Sequence, residues 1–123
     1  MREEHLLEIA SAVVRQTMRE LPEAIAVAAK DCLIQPVFMA ECLGDGEEID
    51  DDLLGVFEGL SLAEVEPSVP VQLPRIRLFL DNLWDYVGEK PDTFREEVRL
   101  TLLHELGHYL GLDEEQVTAL GLA

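Results

Sequence analysis

The sequence predicts one small domain of α/β (α+β) class spanning residues 1–123. Three observations predict it: an amphipathic stretch opens the chain, three short strand-like runs occupy its middle, and a long helical pattern lies near its end. A chain of this length supports a single hydrophobic core and leaves no room for a two-lobed protease.

Residues 3–19 place Leu6, Leu7, Ile9, Ala10, Val13, Val14 and Met18 at the spacing of one helix face. Leu21-Pro22 interrupts this helix, and Pro22 suits the first position of a second short one, PEAIAVAAK, where its missing amide would be unpaired anyway. CLIQPVFMAEC, residues 32–42, is rich in branched and aromatic residues and reads as a strand, with Pro36 marking a sheet edge or bulge. In such an extended segment Cys32 and Cys42 would lie beyond the roughly 4 to 7 Å Cα separation of a disulfide, so free thiols are expected.

GDGEEIDDD, residues 44–52, holds six carboxylates in nine residues and reads as a solvated loop, since it lacks the ligand spacing of an EF-hand. LLGVFEG at 53–59 reads as a second strand, and SLAEVEPSVPVQLP at 61–74 as an irregular connection. RIRLFL at 75–80 fits a third strand. Asn82 to Lys90 reads as a connection carrying Trp84 and Tyr86. Pro91-Asp92-Thr93 then starts a long helix over about 92–110, with Glu96 and Glu97 near its positive end. Val98, Leu100, Leu102, Leu103, Leu106 and Leu110 lie nearly all round that helix, which predicts burial on several sides. Gly111 is a natural stop, and DEEQVTALG forms a last short helix.

The chemistry is concentrated in HELGHYLGLDEEQ, residues 104–116. His104 and His108 lie one helical turn apart on one face, so their imidazoles can grip one metal ion. Glu105 sits off the histidine row but close to it, where its carboxylate can take a proton from an attacking water. With three histidines and 17 glutamates in the chain, chance would give His-Glu-x-x-His with a probability on the order of one in a hundred, and Gly111 brings that below roughly one in a thousand. The plain alternative, a buried helix with merely hydrogen-bonded histidines, leaves that spacing unexplained.

Catalytic zinc normally takes three protein ligands and a water. His5, the other histidine, lies at the far end of the chain in a surface helix. The downstream glutamate of another large class of zinc peptidases comes from a distant helix, whereas 15 residues follow His108 here. The third ligand is therefore expected among Asp113, Glu114 and Glu115. The final place of His-Glu-x-x-His-x-x-Gly-x-x-X falls on Glu114.

HELGHYLGLDEEQV, together with LLGVFEGL and the strand around Ile76 to Phe79, resembles the minimal zincin-like metallopeptidases, small bacterial proteins of about this length. The resemblance covers roughly residues 20–122. It implies a minimal zincin fold, in which a small twisted sheet of three or four strands packs on the active-site helix and an N-terminal helix. It also implies Zn2+ held by His104, His108 and an acidic residue after the glycine, with Glu105 as general base. Asp is common at that third place in the family, and this chain carries the longer Glu114 between two other acids. The methionines, at 1, 18 and 39, all precede the motif, so a methionine turn of the larger metzincins has no counterpart.

A formal net charge of -17 argues against binding nucleic acid and favours cationic partners. MREEHLLEIASAVV scatters charges where a signal peptide would be apolar, and no stretch reaches the roughly 18 apolar residues of a membrane span, so the expected compartment is the cytoplasm. Two functions are consistent with these residues. One is a zinc-dependent peptidase acting on a peptide or protein, with Pro36 near one candidate edge for an extended substrate and Tyr86 and Tyr109 as packing residues. The other is a metal-holding or metal-free scaffold that docks a basic protein partner. No feature of the sequence sets an oligomeric state.

Overall fold

The computed structural model describes residues 1–62 and 73–119. Its elements run α1 (Glu3–Glu20), α2 (Glu23–Ala29), β1 (Leu33–Val37), α3 (Met39–Gly44), β2 (Gly55–Glu58), β3 (Arg75–Phe79), α4 (Leu80–Tyr86), α5 (Pro91–Tyr109) and α6 (Glu114–Ala119). The three strands form one mixed sheet in the order β1-β3-β2. β1 runs parallel to β3, with Leu33 opposite Arg75 and Val37 opposite Phe79. β2 runs antiparallel to it, with Gly55 opposite Leu78 and Glu58 opposite Arg75. Pro36 thus lies in an edge strand, where its missing amide breaks no ladder.

β3 is central because both of its faces are apolar or neutralised. Successive strand side chains point to opposite faces. Ile76 and Leu78 join a core with Leu6, Ile9 and Ala10 of α1 and Val98, Leu102 and Leu106 of α5. Phe79 packs on the other side with Met39 and Cys42 of α3. The helices carrying the larger core, α1 and α5, therefore lie on one face of the sheet, and α3 covers the other. In α5, Phe94, Val98, Leu102 and Leu106 recur every four residues and are all fully buried. Burying each contributes roughly 1.5–3 kcal/mol, so α5 is anchored along its length. Leu103, Glu105, Gly107 and Tyr109 are buried as well, so from Val98 onward the helix is covered on several sides, as expected, while Arg95 and Glu96 near its start are exposed.

Two elements differ from the sequence expectation, and both differences come from contacts distant in sequence. The expected strand over 32–42 ends at Val37, after which the chain enters α3. The amides of Met39 and Ala40 donate to the carboxylate of Asp81, at 2.7 and 3.0 Å. That carboxylate, from a residue some forty positions away, caps a helix whose own sequence offers no cap. The expected connection after Asn82 is largely α4. It carries Leu80 and Leu83 into the core, stacks Trp84 edge-on to Phe94 at 5.5 Å, and uses Asn82 to donate to the carbonyls of Asp51 and Leu53.

The acidic run from Asp45 to Asp52 is a loop, yet it is tied down by more than solvent. Glu47 reaches Arg77 on β3 with two contacts of 2.9 and 3.1 Å, while Glu58 accepts from the same guanidinium at 2.6 and 3.1 Å. Arg77 is only 4% exposed and also lies 5.5 Å from the Phe79 ring. Burial works against its charge, but the two carboxylates outweigh that and hold its pKa above the ordinary value. Cys32 and Cys42 are both free and buried, with burial pushing the Cys32 thiol up to about 11. Most of the expected irregular connection at 61–74, and the end of the expected last helix, lie outside the described residues. Among those described, no helix is long and apolar enough to cross a membrane.

Candidate metal centre

His104, Glu105 and His108 occupy the last two turns of α5. Each offers a donor atom, and the three donors lie within 4.8 Å of one another. The imidazole centroids are 4.6 Å apart, and Nδ1 of His108 stands 3.4 Å from Oε2 of Glu105. Tetrahedral zinc ligands at about 2.0–2.1 Å stand roughly 3.4 Å from each other, a spacing that the two histidine donors, within 4.8 Å, approach. Exposure separates the three. The histidine side chains are 48% and 51% exposed, whereas that of Glu105 is 10% exposed.

How α5 ends decides what else reaches the site. Gly111 takes the left-handed conformation at φ 74. Its amide donates to the carbonyl of His108, and that of Leu112 to the carbonyl of Gly107, at 3.1 and 2.9 Å. These two bonds make a Schellman stop, which reverses the chain immediately after the second histidine. Asp113 and Gln116 then cap α6 reciprocally: the Gln116 amide donates to Asp113 Oδ1 at 2.7 Å, and the Asp113 amide donates to Gln116 Oε1 at 2.9 Å. This capping box contributes about 1 kcal/mol and occupies the Asp113 carboxylate.

Glu114, the first residue of α6, places Oε1 3.9 Å from Nδ1 of His104. Glu115 makes no side-chain hydrogen bond or ion pair among the described residues. Of the three expected acids, Asp113 is engaged in a cap, Glu114 has one oxygen near His104 although its side chain is 88% exposed, and Glu115 is exposed as well; the donors within 4.8 Å of one another are those of His104, Glu105 and His108. His5 lies on α1 beside a groove that includes Arg95, apart from this cluster.

Two glycines make the close approaches possible. A Cβ on Gly107 would sit 2.6 Å from Cγ2 of Val117, so α6 packs directly on the α5 backbone at that point. A Cβ on Gly55 would sit 2.7 Å from Cγ2 of Thr101, so β2 is similarly pressed against α5. Sequence reasoning gave Gly107 no role, since a glycine inside a helical motif declares its purpose only once the packing partner is known. The cleft beside the histidines, about 460 Å³, is walled by Leu54 and Gly55 at the start of β2, by α5 and by Val117 of α6. It borders β2 rather than β1, so the edge marked by Pro36 is not the one next to the metal-binding residues.

The two tyrosines part company. Tyr109 is buried against Phe57, with ring centroids 5.6 Å apart, and burial raises its pKa. Tyr86, expected to pack, is instead 67% exposed because it ends α4 on the side facing away from the core.

A helix carrying His-Glu-x-x-His beside a cleft, with a small mixed sheet laid along it, is the scaffold of the zincin class of metal-dependent hydrolases. Residues 32–122 match the family model described as zincin-like metallopeptidase, and the chain belongs to that family. The family implies zinc. No curated protein sequence matches the chain.

Proposed function

We propose that the protein is a zinc-dependent peptidase of the cytoplasm, with His104, His108 and Glu114 as metal ligands and Glu105 as general base. The observation that carries this reading is the split in exposure: two half-exposed imidazoles flank a nearly buried carboxylate, and His104 and Glu105 line an open cleft. Two imidazole nitrogens and a carboxylate are a donor set suited to zinc. When bound, zinc supplies Lewis acidity, lowering the pKa of a water toward neutrality and polarising a carbonyl.

The rest of the work falls to the chain itself. Glu105, fixed beside His108, accepts the proton of the attacking water on its carboxylate and passes it to the leaving amine. Its position on α5 one residue after His104 keeps it near the water without drawing it into the ligand set. Apolar packing of Leu102, Leu106 and Tyr109 beneath the site holds these side chains on a rigid element. Among the described residues β2 pairs only with β3, so it offers an edge along which an extended peptide can lie beside the cleft.

The test is Glu105→Gln. It should retain wild-type zinc content and melting temperature while hydrolysis of an unfolded protein substrate falls by about 10² to 10⁴. Equal hydrolysis by wild type and variant would overturn the reading.

A further inference from the structure

The cleft extends well past the metal-binding side chains. Its far wall is Glu97, on the same helix as the histidines. Residues seven apart complete almost two turns, so Glu97 and His104 share one face of α5 and stand about 10 Å apart along its axis, with Thr101 between them. Leu54, Leu100 and Val117 supply the apolar lining of the cleft, with Val117 at the Gly107 end.

Glu97 differs from its acidic neighbours on α5. Asp92 is tied to Arg95 at 3.1 Å and Glu96 to Arg99 at 3.5 Å. Among the described residues Glu97 has no hydrogen bond or ion pair through its side chain, although it is partly buried. An unpartnered carboxylate at the edge of an apolar-walled cleft is free to meet a cation.

Resting on the peptidase reading, we propose that this cleft is a side-chain subsite for a lysine or arginine flanking the scissile bond. The aliphatic stem would lie on Leu54 and Leu100, and the cationic head would pair with Glu97. Lys and Arg alone combine a long apolar stem with a terminal positive charge, which matches an apolar floor ending in an acid. An acidic substrate residue would meet Glu97 in a chain that already carries a net charge of -17. A purely apolar one would cover Glu97 and leave it unpaired.

Two hydroxamates test this on the zinc-loaded protein. They are identical peptides except that the residue next to the hydroxamate is lysine in one and norleucine, its uncharged counterpart, in the other. Calorimetry should show the lysyl compound binding about fivefold to tenfold more tightly, a difference that fades in high salt. Glu97→Gln should remove the preference by weakening the lysyl compound, with zinc content unchanged. Equal affinities in the wild type, a preference that survives Glu97→Gln, or no binding of either compound would overturn the proposal. A protein that shows the preference but cleaves neither a lysyl nor a norleucyl peptide would keep the subsite and lose the peptidase reading.

Discussion

Two clusters of polar side chains flank the sheet and use their donors in opposite ways. Beneath β3, Arg77 is 4% exposed and its nitrogens go to Glu58, Glu47 and the sulfur of Cys42, at distances from 2.6 to 3.6 Å. At the end of α5, His104 and His108 are half exposed and their nearest carboxylates stand 3.9 and 3.4 Å away. The first cluster is saturated from within, so its contribution is to hold the acidic loop and β2 against β3. The second has capacity left over, and that surplus is what a metal ion and a substrate require. Charge density alone would have ranked the two alike; exposure and pairing separate them.

Three variants sharpen this contrast. Arg77→Ala strands two carboxylates at the sheet and empties the space over Phe79. A fully buried pair broken this way costs about 3–5 kcal/mol, and because Glu47 and Glu58 are each about a third exposed the expected loss is nearer about 3 kcal/mol, read by urea unfolding. Unchanged stability would show that the cluster is not structural. Gly107→Ala drives a Cβ into Val117 and should cost about 1–3 kcal/mol. It should also weaken zinc binding although every ligand is intact, and Gly107→Ala with Val117→Ala should restore much of both. Zinc affinity that ignores Gly107→Ala would disconnect α6 from the site.

The smallest effect concerns acid. The hydrogen bond from Arg77 holds the Glu47 carboxyl below its ordinary value of 4.5. A depressed carboxyl stabilises the fold above its unfolded pKa, and that contribution is lost as pH falls through the lower folded value. The stability gap between wild type and Glu47→Gln, measured by thermal unfolding, should therefore be constant near neutrality and close as the pH drops below 4.5. A gap that persists into stronger acid would mean that Glu47 does not act through its charge.

What was readable in the sequence follows the range of the interactions. The histidine pair, the α5 helix, the stop at Gly111 and the strand at Arg75–Phe79 are written in local spacing, and all appear where that spacing puts them. α3 and α4 are not, because Asp81 caps the one and buried Leu80 and Leu83 fix the other through residues far along the chain. At the site, spacing narrowed the third ligand to Asp113, Glu114 and Glu115. The proposed choice of Glu114 rests on features that spacing does not carry: the capping box engages Asp113, and Glu114 Oε1 lies 3.9 Å from His104. Glu97 had no local signature beyond a favourable place near a helix start.

The central claim is that His104, His108 and Glu114 hold one zinc ion. Calorimetric zinc titration of the metal-free protein tests it, with Glu114→Ala and Glu115→Ala as a matched pair on the same short helix. One zinc per chain should bind the wild type, Glu114→Ala should weaken it by at least about tenfold, and Glu115→Ala should leave it within about twofold. Equal affinity in all three proteins, or a loss confined to Glu115→Ala, would contradict the proposed ligand set.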